Sequence, residues 1–176
     1  MAPLALYLRG AGTEVEAFDD TFREPVRSLL EHSGVRLLPE AVPSFCPEVV
    51  IRSSAVPEDR PELAQWRNQG VSVVRRGDFL AELLTDRKVV AVVGSHGKTT
   101  SSAMLAWLLR KAEFPCGYIV GGLFRDLKVP PAAYSEAPWV VVEVDESDGT
   151  IESFRPEVTL ALNCDWDHSD RYVTRQ

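Results

Sequence analysis

Short apolar runs alternate with polar turns along this chain, and their spacing predicts strands and helices in alternation. Residues 3–10 have helical character, broken by Gly12 before the strand-like Thr13–Phe18. Asp19, Asp20 and Thr21 supply turn and capping groups for a helix over 22–33 that ends near Gly34. Val35–Leu38 and Glu48–Ile51 read as strands, with Arg52-Ser-Ser-Ala-Val-Pro57 as a loop. Pro61–Arg67 reads as a helix closed by Gly70, Val71–Val74 as a strand and Asp78–Leu84 as a further helix. The Asp86-Arg-Lys88 step is the best boundary between two units, 1–87 and 88–176.

Beyond that step, Val89–Val93 is a continuous apolar run, the pattern of a central parallel strand covered on both faces. A helix over Lys98–Lys111 and a strand near Tyr118–Val120 follow. Pro130, Pro131 and Pro138 confine the next stretch to a loop or sheet edge. Trp139–Val144 and Val158–Leu162 are two more apolar strands, each ending in polar residues. The whole is an α/β layered fold, and ligands on such sheets gather outside the carboxyl ends of the strands.

That rule directs attention to Gly94-Ser-His-Gly-Lys-Thr-Thr100, between the Val89–Val93 strand and the following helix. Glycines let phosphate oxygens approach the backbone, and the N–H groups of a helix start donate to them. Lys98 reaches terminal phosphates as a mobile cation, and Thr99 is placed to help hold magnesium. The wider phosphate-loop pattern asks for a glycine where this chain has Val92, so the loop is a compact Gly-x-x-Gly-Lys-Thr variant. An ordinary turn capped by Thr99 is the bland alternative. His96 either contacts a phosphate or shapes the loop.

Two further strand ends carry polar groups. Glu143 closes the Trp139–Val144 strand, ahead of Asp145-Glu-Ser-Asp148. Carboxylates beside a triphosphate repel it unless a hard divalent cation lies between them, which makes magnesium the natural partner. A solvated charge cluster is the competing account of Asp145, Glu146 and Asp148. The third group, Asn163-Cys-Asp-Trp-Asp-His168-Ser-Asp170, offers His168 as a cation ligand, with Asp167 or Asp170 orienting the loop.

Composition narrows the classes. The 176 residues are 45% hydrophobic and 26% charged, as in an ordinary soluble globular protein. Nineteen basic against 26 acidic side chains give a net charge of −7 with no long basic block, so nucleic acid is a poor partner. Cys46, Cys116 and Cys164 are too widely spaced for a zinc site and are expected to be buried thiols in a reducing compartment. The N-terminus has no basic leader or cleavage region, and no apolar run approaches the roughly 18 residues needed to cross a bilayer. A cytoplasmic location, without membrane insertion, is the expectation.

The three strand-end motifs in this order resemble the central domain of the Mur ligases of peptidoglycan synthesis, most strongly those adding L-alanine to UDP-N-acetylmuramate. The similarity extends upstream through Arg52–Pro57 and the stretch from Arg75 to Leu84. It implies a Rossmann-like UDP-substrate domain over 1–87, lacking its first strand and Gly-rich loop. A partial P-loop ATPase-like central domain over 88–176 would follow. ATP and Mg2+ would be the cofactors, with Gly94, Ser95, His96, Gly97, Lys98, Thr99 and Thr100 cradling the nucleotide. Lys98 would bind phosphate, Thr99 and Glu143 would hold magnesium, and His168 would bind a second ion. Asp19 would lie near the uridine, and Ser53 and Ser54 near the UDP end. The resemblance further implies an acyl phosphate on the UDP-sugar carboxylate, attacked by the amino group of L-alanine.

Departures from the family pattern add expectations. A partial central domain and a missing ligase domain predict a truncated, inactive and poorly soluble chain. Two alternatives accompany the L-alanine assignment: a murein-recycling ligase that takes an intact tripeptide, and a non-catalytic nucleotide-binding module.

Overall fold

Helix α1 (Ala2–Gly10) turns Leu4, Leu6, Tyr7 and Leu8 inward, and these side chains belong to the larger of two apolar clusters. The computed structural model describes residues 1–145, 151 and 154–164. Strand β1 (Glu16–Phe18) follows, then α2 (Val26–His32), β2 (Arg36–Leu38), β3 (Val49–Arg52), α3 (Pro61–Asn68), β4 (Ser72–Arg75) and α4 (Arg76–Leu83). The second half contains β5 (Lys88–Val93), α5 (Lys98–Lys111), β6 (Cys116–Ile119), β7 (Ala132–Ala133), β8 (Trp139–Glu143) and β9 (Val158–Ala161).

In the first half β1 pairs in parallel with β2, and β3 with β4, as two separate two-stranded sheets. In the second half a five-stranded sheet runs in the order β7-β6-β8-β5-β9, parallel throughout except for β7 at its edge. The valine-rich β5 and β8 occupy its middle, where both faces are covered.

Because successive strand residues point to opposite faces, each of these strands feeds two clusters. Val89, Ala91 and Val93 of β5 join Val140 and Val142 of β8 and the α1 side chains in the larger cluster. Val92 and Val141 face the other way, into a smaller cluster with Ala106 of α5 and Tyr118 of β6. Fully burying each of the larger aliphatic side chains contributes about 1.5–3 kcal/mol. Leu4 and Leu80, 2% and 1% exposed, are in that class. Helix α1 therefore covers one face of the five-stranded sheet, within a cluster against which Ala17 of β1 and Ile51 of β3 also pack.

Some local expectations need correction. The second helix starts at Val26 rather than near residue 22, with Pro25 as its N-cap residue and no side-chain cap. Proline disfavours helical geometry in the residue before it, which keeps 22–24 outside the helix. Asp19 instead accepts the Thr21 N–H, and Asp20 pairs with Arg60. The buried-thiol expectation fails for two cysteines: Cys46, in the irregular β2–β3 connection, and Cys164, after β9, are exposed, and Cys116 is half-buried. The proline-rich stretch yields the short edge strand β7. Among the described residues, no helix is long and apolar enough to cross a membrane.

Candidate functional site

Strand β5 delivers the chain into a loop with two left-handed glycines, Gly94 at φ 138° and Gly97 at φ 84°, before α5 begins at Lys98. Side-chain-bearing residues rarely adopt such angles. At Gly94 space is limiting as well, since a Cβ would lie 3.1–3.2 Å from the Asn163 backbone and Leu162 Cβ. The first turn of α5 closes with Ser101 N–H donating to the Gly97 carbonyl at 2.9 Å, and no side chain caps the helix start. Uncapped N–H groups at a helix N-terminus suit an anion. The half-buried Lys98 folds back so that Nζ donates to the Gly94 carbonyl at 2.7 Å.

The loop is clamped from β9. Val93 is level with Ala161 in the β5–β9 register, so Asn163, two residues on, stands beside the loop. Its Oδ1 accepts the His96 N–H and its Nδ2 donates to the His96 carbonyl, each at 2.9 Å. Residue type alone gives Asn163 no role within the third motif. The register of β9 against β5 reveals one.

Glu143 reaches the same place by strand alternation. It lies two residues after Val141, on the face of β8 turned toward α5, and is level with Val92 of β5. Thr99 Oγ1 donates to Glu143 Oε1 at 2.9 Å, and the Gly121 N–H donates to Oε2 at 2.7 Å. The buried Ser102 hydroxyl lies 3.3 Å from Oε2 and 3.1 Å from the Thr99 carbonyl. A hydroxyl has one proton and two lone pairs, so Thr99 can donate to the carboxylate and still present a lone pair to a cation. Thr99 and Glu143 thus form an all-oxygen donor set beside the uncapped helix start, which suits a hard divalent ion. Among the described residues no group of three or more His, Cys, Asp or Glu side chains gathers to hold a metal.

The remaining candidates are dispersed or outside the described residues. Asp19 is exposed after β1. Ser53 Oγ accepts the Ala55 N–H in the turn after β3, beside exposed Ser54. In that turn the buried Arg52 donates to the Val56 carbonyl at 2.9 Å and pairs with Glu58. Ser95 and Thr100 flank the loop's centre, and the half-buried Asp145 follows β8. His168, with Asp167, Asp170, Glu146 and Asp148, lies outside the described residues.

Residues 1–88 match the model of the Mur ligase family, catalytic domain. The chain belongs to the Mur ligase family. This Mur ligase chain is 34% identical over 174 residues to the UDP-N-acetylmuramate--L-alanine ligase of Roseiflexus castenholzii, covering 98% of the chain and 36% of the relative. It thus spans about a third of the length of that curated relative. Among solved structures, it superposes on a UDP-N-acetylmuramate-alanine ligase from Thermotoga maritima with a TM-score of 0.88 at 26% identity, covering 99% of the chain and 41% of that protein. It also matches the UDP-N-acetylmuramate:L-alanyl-gamma-D-glutamyl-meso-diaminopimelate ligase from Neisseria meningitides, with a TM-score of 0.85 at 27% identity. That match covers 97% of the chain and 59% of the other protein. The mixed α/β architecture with parallel sheets is therefore that of Mur ligase structures.

Proposed function

We propose that this chain carries the ATP- and magnesium-handling centre of a ligase that joins L-alanine to UDP-N-acetylmuramate. The observation that carries the proposal is the 2.9 Å contact between Thr99, in the first turn of α5, and Glu143, at the end of β8, beside an uncapped Gly-rich loop. In this reading residues 88–176 form the P-loop ATPase-like unit and 1–87 the Rossmann-like unit for the UDP-substrate. Asp19, Ser53 and Ser54 face the UDP part.

The chemistry assigned to each residue follows from charge. Backbone N–H groups at the start of α5 hold phosphate oxygens, and Lys98 swings from the Gly94 carbonyl onto the terminal phosphate. Both stabilise negative charge where it grows during phosphoryl transfer. Thr99 and Glu143 hold the cation, with His168 as a ligand of a second one. Bound magnesium supplies charge neutralisation across the phosphates. The substrate carboxylate attacks the terminal phosphorus, forming an acyl phosphate and releasing ADP. The amino group, having lost a proton, then attacks the acyl carbon and expels inorganic phosphate. No nucleophilic side chain is needed.

The Neisseria structure favours a second reading, in which the acceptor amine belongs to a tripeptide. Comparing L-alanine and the tripeptide as acceptors in a UDP-N-acetylmuramate-dependent phosphate-release assay separates the two. The nucleotide assignment is tested by calorimetric titration of ATP with magnesium. Lys98→Ala is expected to weaken binding by at least about tenfold, or about 1.4 kcal/mol, through loss of a charge-assisted contact. Unchanged affinity would refute the assignment.

A further inference from the structure

Gly121 and Gly122 follow β6 without belonging to any phosphate-loop pattern, yet they close over the Thr99–Glu143 pair. Ile119 of β6 is level with Val142 of β8, which brings Gly121 alongside the end of β8. A Cβ at Gly121 would lie 2.5 Å from both Glu143 carboxylate oxygens and 2.6 Å from Cδ, and one at Gly122 would lie 2.8 Å from Thr99 Cγ2. Gly121 is not among the positive-φ glycines, so backbone conformation does not require glycine there. Close approach does.

That approach has a chemical product. The 2.7 Å Gly121 N–H···Oε2 bond has the length of a charge-assisted hydrogen bond. Ser102 adds a weaker contact to the same oxygen, because its single proton is shared between Oε2 at 3.3 Å and the Thr99 carbonyl at 3.1 Å. Oε1 is left to Thr99. A glutamate side chain turns freely about several bonds, and pinning one oxygen fixes where the other points.

We infer that Gly121 and Ser102 are positioning residues that hold Glu143 Oε2, so that Oε1 and the Thr99 hydroxyl face the divalent cation as a preformed pair. This rests on the reading of Glu143 as a cation ligand. Gly121 contributes the larger part, through a backbone donor that no side-chain substitution removes directly. Its replacement instead drives a methyl group into the carboxylate.

The experiment measures Mn2+ binding to the full chain saturated with ATP, by the electron paramagnetic resonance signal of free Mn2+, with metal-free ATP affinity as control. Glu143→Gln reports on the cation reading itself. Gly121→Ala is expected to weaken Mn2+ by about 10–100-fold, the effect usual for partners that orient a metal ligand, and Ser102→Ala by a smaller factor. Metal-free ATP affinity is expected to stay within about twofold for both. Because the three atoms nearest the added methyl all belong to Glu143, Gly121→Ala combined with Glu143→Asp, one methylene shorter, is expected to recover the melting temperature lost by Gly121→Ala alone. If Glu143→Gln weakens Mn2+ while Gly121→Ala and Ser102→Ala do not, the positioning inference is overturned and the cation reading stands. If Glu143→Gln also leaves Mn2+ binding unchanged, both fall. Should Gly121→Ala fail to fold, Ser102→Ala, which adds no atoms, decides the comparison.

Discussion

Replacing Asn163 by alanine removes the bridge from β9 to the middle of the Gly-rich loop. Two hydrogen bonds are lost, each 2.9 Å long, one to the His96 N–H and one to its carbonyl. A neutral hydrogen bond contributes a net 0.5–1.5 kcal/mol, and these two lie at the surface, where water takes over the freed groups, so about 1–2 kcal/mol is lost in total. The cost falls on the loop's ordered conformation, which ATP must then restore on binding. It converts to about 5–30-fold weaker ATP binding, at 1.4 kcal/mol per decade. Because the groups are exposed, the melting temperature is expected to fall by only about 2–8 °C, at 2–4 °C per kcal/mol for a chain of this size. Asn163→Asp sharpens the test. It keeps the acceptor for the His96 N–H, loses the donor to the His96 carbonyl and adds a negative charge beside the proposed triphosphate. Its affinity is expected to fall below that of the alanine variant. Calorimetric titration of ATP reads both changes. An Asn163→Ala affinity within about twofold of the parent chain would refute the clamp.

The remaining predictions concern stability and reactivity. Arg87 donates to the Ser135 and Ala137 carbonyls and lies over the Tyr134 ring at 5.5 Å, so Arg87→Ala should destabilise the chain. A loss of about 2–3 kcal/mol is expected in urea titration after discounting for partial exposure, with Arg87→Lys recovering only part. An Arg87→Ala midpoint equal to that of the parent would refute that role. Burial raises the Cys116 thiol and the Tyr7 and Tyr118 phenols above their ordinary values. Each is an acid that the folded state holds neutral, so the unfolded chain binds fewer protons as pH rises. Stability is therefore complete below the ordinary thiol range, about pH 8.5, and declines as pH passes that range and then the phenol range near 10. Thermal melts from pH 7 to 11 check this, and a flat profile would contradict it. In the native state, exposed Cys46 and Cys164 should be alkylated well before half-buried Cys116, as peptide mapping after timed labelling would record.

Much of the fold was legible because its strands are apolar and its helix stops are chemically marked. Gly12, Gly34 and Gly70, read as stops, have φ of 88°, 78° and 80°, and helix α5 spans the expected Lys98–Lys111. The Val89–Val93 and Trp139–Val144 runs became the buried middle of the sheet, where both faces of these valine-rich strands are covered. Legibility failed where tertiary contacts decide. Strand β7 is two alanines long and exists because Tyr118 and Ile119 offer an antiparallel edge. The exposure of Cys46 and Cys164 follows from the course of irregular connections, which apolar neighbours in sequence do not report. At the site, Lys98, Thr99 and Glu143 stood out by type and strand context. Asn163 and Gly121 did not, because their contributions come from sheet register: one is carried by an ordinary amide, the other by a main-chain N–H.

Tyr7 of α1 meets Tyr134 edge-on at 5.5 Å, and a Cβ on Gly10 would lie 3.0 Å from that of Tyr134. These partners are about 125 residues apart, so the contact has a high sequence separation and closes late in folding. During synthesis at about 5–20 residues per second, Tyr7 and Gly10 wait roughly 6–25 s for Tyr134 to emerge. That interval outlasts the arrival of α2, α4 and β5, which share the cluster with α1, so this one ring contact is made after most of the helix's cover is in place.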